Sequence, residues 1–293
     1  MTSMVTLVDR PDGRVLRVEE GGDPHGLPVL THHGTPGSGR LYERHAADAA
    51  EKGIRLIGYD RPGYGGSSPL PGRVVAHCAA DVRAIAAALH IERLGLWGVS
   101  GGGPHALACA ALLPDLLVGA ASLASPAPYG AAGLDYFSGM GQENADDTRL
   151  TLADEPAARQ KAGRDRESLL AMSAEALAGA FPTLLSPVDA AAFTPELSNH
   201  FYRSSQEGLA PGVEGWWDDG LSTLQRWGFE LGSIRVPVQL WHGRHDGFVP
   251  FQHGEWLAAQ IPGVEAHLTD EDGHLTLLQD RVPDVHAWLL ERF

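Results

Sequence analysis

The chain has 293 residues, 43% of them hydrophobic, which is enough to bury a large core in an ordinary globular protein. Its 22 Lys and Arg against 37 Asp and Glu give a formal net charge of −15, a field that repels phosphate backbones and anionic membrane surfaces. Nucleic acid and membrane are therefore excluded as expected partners, and the absence of any run near ~18 apolar residues excludes a spanning helix and leads us to expect a soluble, cytoplasmic protein.

In chain order, Met1 to Glu20 alternates apolar and polar residues around Asp12-Gly13 and reads as a β-hairpin. A secretory leader would need a basic start and a continuous apolar stretch. Strands are then expected at Pro28 to His32, Ile54 to Tyr59, Arg93 to Val99 and Leu116 to Ser122. Helices are expected at Leu41 to Lys52, Arg73 to Leu89 and Gly101 to Leu113, the last ended by Pro114. Short apolar strands alternating with helices predict an α/β fold with a largely parallel sheet covered on both faces.

The alternation stops from Pro126 to about Pro211, where helical segments broken by Pro156, Pro182, Pro187 and Pro195 read as an inserted cap. It resumes with a strand at Val236 to Trp241, a helix at His253 to Ile261, a strand at Val264 to Leu268, and a helical region from Leu275 interrupted by Pro283. The expected division is a core of residues 1–125 and 212–293 and a cap of 126–211.

The most informative stretch is Gly98-Val99-Ser100-Gly101-Gly102, a G-x-S-x-G pattern between a predicted strand and a predicted helix. Such a turn raises the serine hydroxyl at the end of the sheet, and the glycines let neighbouring backbone pass closely. Serine needs a base, and the base needs an orienting acid. Asp246 follows the strand ending at Trp241, and His274 follows the last strand, giving the order Ser100, Asp246, His274. In this scheme His274 takes the Ser100 proton, and Asp246 holds the imidazole tautomer and stabilises the imidazolium. His267 lies within a predicted strand, and Asp270 and Asp272 are assigned to shaping the His274 loop.

No metal or other cofactor is expected: the pairs His32-His33 and His242-x-x-His245 have no H-E-x-x-H or cysteine cluster beside them in sequence. Cys78 and Cys109 read as small buried hydrophobes.

Taken together, these residues resemble the α/β-hydrolase superfamily, specifically its capped serine hydrolases of the esterase and proline-iminopeptidase-like branch, over nearly the whole chain. His33-Gly34-Thr35-Pro36-Gly37 is similar to that family's H-G-x-P oxyanion loop, and Asp60-Arg61-Pro62-Gly63-Tyr64-Gly65-Gly66-Ser67 to its D-x-x-G-x-G-x-S turn. Trp227-Gly228-Phe229 and Pro237 to Pro250 are also similar to family elements. The resemblance implies a mostly parallel twisted sheet flanked by helices with an inserted helical cap. It implies oxyanion donors at the amides of Thr35 and Gly101, since Pro36 has no N–H. His32 and His33 are expected to organise that loop and Asp60 its glycine turn.

Serine at position 100 argues against the dehalogenase and epoxide-hydrolase branches, whose resemblance would require aspartate there. An alternative acid position of the superfamily falls on Ala124-Ser125-Pro126, which offers no carboxylate. The expected activity is hydrolysis of a small or medium carboxylic ester through an acyl-enzyme, with a small-molecule substrate and an open oligomeric state. Phe137, Met140, Phe181, Trp216 and Trp217, with His105 and Phe248, are the expected pocket residues. Alternatives are a proline-iminopeptidase-like amide hydrolase, although Gly101 stands where that branch has Trp, a C–C bond hydrolase, and a non-catalytic small-molecule receptor. A hydroxynitrile-lyase-like reaction is disfavoured, because Leu275 replaces that family's lysine.

Overall fold

A computed structural model describes residues 4–293, so Met1 to Ser3 of the expected hairpin lie outside the described residues. The strands are β1 (Met4–Asp9), β2 (Val15–Gly22), β3 (Leu27–His32), β4 (Ile54–Tyr59), β5 (Leu94–Val99), β6 (Leu117–Leu123), β7 (Val238–Gly243) and β8 (Glu265–Thr269). They form one sheet in the order β1-β2-β4-β3-β5-β6-β7-β8. Only the pairings β1 with β2 and β2 with β4 are antiparallel, and the rest of the sheet is parallel.

Around this sheet lie α1 (Glu43–Glu51), α2 (Cys78–Ala88), α3 (Gly103–Leu112), α9 (Phe251–Gln260) and α11 (Val282–Leu290). Between β6 and β7 come α4 (Gln142–Ala153), α5 (Glu155–Ala171), α6 (Pro187–Ala192), α7 (Pro195–Gly208) and α8 (Glu214–Leu224). A short turn of helix, α10 (His274–Thr276), leads through a π-helical turn at Leu277–Arg281 into α11. Among the described residues no helix is long and apolar enough to cross a membrane.

The central strands β5 and β6 are buried along their whole length, as continuous apolar runs in a doubly covered parallel sheet must be. Successive residues point to opposite faces. Leu94 and Leu96 enter one core with Val82, Ile85, Leu107 and Leu240. Trp97 and Val99 enter the other with Leu123, Leu277, Val285 and Trp288.

Observed ends differ by a few residues from those expected. The second helix opens with a 3-10 turn at Val75–His77, and β7 begins after Pro237, which has no N–H to give to a ladder. The prolines expected as breaks fall at breaks between helical segments, Pro182 in the stretch before α6, and those at 156, 187 and 195 also start the next helix: each lies in the first turn of α5, α6 or α7, behind a side-chain cap from Asp154, Ser186 or Thr194. The first turn tolerates proline because its amides have no intrahelical partner, and the cap oxygen satisfies one of them. The helical stretch also continues past Pro211, since α8 runs from Glu214 to Leu224.

Candidate active site

Parallel strands deliver the loops after β3, β5, β7 and β8 to one edge of the sheet, and the residues singled out in the sequence lie on those loops. Ser100 directly follows β5 with φ at +54°, a left-handed conformation that costs a non-glycine residue about 1–3 kcal/mol. The flanking glycines are required by close approach. A Cβ on Gly98 would stand 2.2 Å from the Gly102 carbonyl oxygen, and one on Gly102 would stand 2.3 Å from the His32 carbonyl oxygen. Gly101 is constrained from another side, because its Cβ would fall 2.3 Å from Thr35 Oγ1. That contact explains a glycine directly after the serine.

His274 and Asp246 are brought together, His274 Nδ1 donating to Asp246 Oδ2 at 2.7 Å. The other oxygen, Asp246 Oδ1, accepts from the amides of Phe248 and Val249, both at 2.8 Å, so the carboxylate is fixed by its own turn. Burial works to lower the His274 pKa, but the Asp246 carboxylate outweighs it and holds the imidazole above its ordinary value. Phe248 stacks on His274 with ring centroids 4.6 Å apart. Among the described residues Ser100 Oγ has no hydrogen-bond partner; catalytic hydrogen bonds often tighten only when substrate is bound.

The loop after β3 is held by a buried ion network that the sequence did not reveal. Arg61, with no exposed surface, donates through its guanidinium to the His33 carbonyl, to the Gly34 carbonyl at 3.2 Å and to Thr35 Oγ1 at 3.0 Å. Its charge is met by Asp219 of α8, whose Oδ2 lies 3.0 Å from Arg61 Nε and accepts from the Thr35 hydroxyl at 3.0 Å. Arg73 binds the other oxygen, Asp219 Oδ1. Burial works to raise the Asp219 pKa, yet Arg61 and Arg73 together hold it well below the usual carboxylate range.

His33 Nε2 accepts from the Arg61 amide at 3.2 Å, so Nδ1 carries the proton and donates to the Gly34 carbonyl at 2.7 Å. Burial and Arg61 keep that ring neutral. Asp60 accepts from the amides of Gly39 and Gly66 at 2.7 and 2.9 Å, which ties the β3 loop to the glycine turn.

His105 is buried in this same network. Its Nδ1 is 2.8 Å from the Gly101 carbonyl oxygen and its Nε2 is 3.9 Å from Asp219, and burial followed by Arg61 pushes its pKa down to about 3. Below it, the sulfurs of Cys78 and Cys109 are 3.7 Å apart, and Cys109 Sγ is 3.7 Å from His32 Nε2. Folding thus creates a Cys, Cys, His grouping that sequence spacing hid. Burial, then the Cys109 thiol, raise the Cys78 pKa well above its ordinary value.

The apolar residues expected to form a pocket are distributed around the site. Phe181 packs on Phe248 at 5.9 Å, which places it one ring away from His274. Phe137 lies against Tyr136 at 5.4 Å with the Arg149 guanidinium 4.7 Å from its ring centre. Trp217 is buried next to Arg159, and Trp216 and Met140 are half-buried. A small pocket opens beside the β3 loop, lined among others by His33, Gly34, Tyr42, Val99, His200 and Phe201. Gly34 and Val99 on its wall adjoin the elbow, a Cβ on Gly34 standing 3.6 Å from Ser100 Cβ, but Ser100, Asp246 and His274 are not on the wall. None of the seven residues expected to line a pocket is on its wall.

An eight-stranded, mostly parallel sheet with a serine elbow at the end of a central strand defines an enzyme of the hydrolase class. A sequence model of the alpha/beta hydrolase fold family matches residues 28–280, and the chain belongs to that family. It is 28% identical over 276 residues to the AB hydrolase superfamily protein YisY of Bacillus subtilis, covering 91% of both chains. It is also 34% identical over 110 residues to a proline iminopeptidase of Xylella fastidiosa, covering 36% of this chain and 34% of that one. The esterase RhEst1 of a Rhodococcus species superposes with a TM-score of 0.72 at 20% identity, covering 99% of each chain; this likeness concerns the fold.

Proposed function

We propose that the protein is a serine hydrolase that cleaves a small or medium carboxylic ester through an acyl-enzyme. The observation that carries this reading is the 2.7 Å Asp246–His274 hydrogen bond at the same sheet edge as the strained Ser100 elbow. Ser100 attacks the ester carbonyl while its proton passes to His274, and the imidazolium is stabilised by Asp246. The tetrahedral oxyanion takes hydrogen bonds from the amides of Thr35 and Gly101, preorganised by the Arg61–Asp219 network. His274 then protonates the leaving alkoxide, and water repeats the sequence on the acyl-enzyme. The test is a panel of esters, amino-acyl amides and diketones assayed with the wild-type protein. Ester turnover exceeding the rest supports the reading, and selective release of N-terminal proline would favour the peptidase reading that the partial Xylella fastidiosa likeness supports.

Catalysis requires neutral His274. Because Asp246 outweighs burial and raises the His274 pKa above its ordinary 6.5, kcat/KM for a non-ionising ester should fall as pH drops through a value above 6.5. A profile flat from pH 5 to about 8 would count against a histidine base.

We further propose that residues 126–211 form a cap that selects substrate, with the cavity lined by His200 and Phe201 of α7 receiving its apolar part. Phe201→Ala should change the ranking of esters by chain length in graded steps, since one buried methylene is worth about 1–3 kcal/mol of discrimination. Phe181→Ala tests the other approach, by way of Phe248. An unchanged ranking in both variants would move the pocket elsewhere.

A further inference from the structure

Asp189 of α6 has no exposed surface, and among the described residues it forms no ion pair. A buried carboxylate is unfavourable unless its oxygens are saturated with donors, and an apolar side chain would fill the same space without that cost. Here the donors are specific. Asp189 Oδ2 accepts from the His274 amide at 3.0 Å and from the Ser186 hydroxyl at 3.1 Å. Asp189 Oδ1 accepts from the amides of Leu275 and Thr276 at 2.7 and 3.3 Å. The three backbone donors are the three residues of α10, the turn that begins with the base itself.

Local chemistry alone would have used Asp189 differently. Ser186-x-x-Asp189 is the pattern of a capping box, in which the acid folds back on its own helix start. Ser186 does cap α6, accepting from the Asp189 amide at 3.3 Å. The Asp189 carboxylate instead leaves its helix and crosses to a segment 85 residues further along the chain. Room for it is made by Gly273, where a Cβ would stand 2.3 Å from Asp189 Oδ2. The carboxylate is thus built into the turn that sets the direction of the imidazole, whose Nδ1 must meet Asp246 at 2.7 Å.

We propose that Asp189 is a positioning residue for the base: through the three α10 amides it fixes the backbone of His274, and it ties that backbone to the helical insertion between β6 and β7. This inference rests on the reading of His274 as the base. Asp189 also adds a second negative charge near the imidazolium, behind Asp246 in influence.

The test compares Asp189→Asn and His274→Ala with the wild-type protein on a small, non-ionising ester, reading kcat, KM and the acid limb of kcat/KM. Asparagine keeps the size but loses the charge and sets its carboxamide NH2, a donor, against one of the donors that the carboxylate now accepts from. The expected result is a fall in kcat of about tenfold or more with little change in KM, as expected of a misplaced catalytic group. Removing a negative charge disfavours the imidazolium, so the acid limb should move to lower pH by about half a unit or more.

An acid limb left in place, whatever happens to thermal stability, would overturn the proposal and make Asp189 only a structural cap. Should Asp189→Asn fail to fold, Ser186→Ala removes both the hydroxyl on Asp189 Oδ2 and the α6 cap while leaving the carboxylate charge, so it is read by kcat and not by the acid limb. A fall in kcat with KM unchanged then supports the proposal, and a wild-type kcat overturns it. Wild-type turnover in His274→Ala would instead bring down the assignment of the base itself, which separates the two failures.

Discussion

Ser100→Ala is expected to abolish covalent labelling by a fluorophosphonate and to lower ester turnover by about 10⁴-fold or more, because members of a nucleophile–base–acid unit act together and losing the nucleophile forfeits the whole unit. The fold should survive, since the elbow depends on the close approaches of Gly98 and Gly102, which the substitution leaves untouched. The measurement is labelling intensity beside steady-state turnover, with a circular dichroism melt as a folding control. Labelling that persists in a folded Ser100→Ala protein would place the nucleophile elsewhere. Turnover that persists with labelling abolished would mean that the serine is reactive but not part of the ester reaction.

The second large effect is expected at Asp219, which the sequence did not mark. Asp219→Ala leaves Arg61 and Arg73 buried without their shared partner, and removing one member of a buried ion pair costs about 3–5 kcal/mol. For a chain of this length that corresponds to a fall in melting temperature of roughly 10 °C. The milder Asp219→Asn retains one acceptor and tests function. The Thr35 hydroxyl would lose its charged acceptor and the β3 loop part of its anchor. Loss of one oxyanion donor costs about 10²- to 10³-fold in kcat, so a partly loosened loop should lower kcat by up to about 100-fold. Wild-type kcat in Asp219→Asn would show that the network supports the fold without holding the oxyanion loop.

Most of the fold was legible because its signals are short-range. Buried strands such as β5 and β6 are unbroken apolar runs, and Gly98-Val99-Ser100-Gly101-Gly102 is a turn whose glycines answer to backbone only a few residues away or on the adjacent strand. Pro156, Pro187 and Pro195 mark breaks between helices, as expected, and what the sequence reading did not add is that with Asp154, Ser186 and Thr194 before them they also start the next helices. The pocket was less legible still. Large side chains in a helical insertion look alike in sequence whether they face a cavity or each other, so Phe137 and Trp217 could not be distinguished from Phe201 without the packing.

By itself the sequence determined the α/β order of elements, the serine elbow, and the loops after β7 and β8 on which Asp246 and His274 lie. These follow from periodicity and turn chemistry, which act within a few residues, and from the rule that parallel strands bring their following loops to one edge. Only the tertiary structure decided what holds those loops in place. Arg61 meets Asp219 across 158 residues and Asp189 meets the His274 amide across 85. The partner of a buried charge is chosen by which distant segments exclude water together, and no local pattern records that choice.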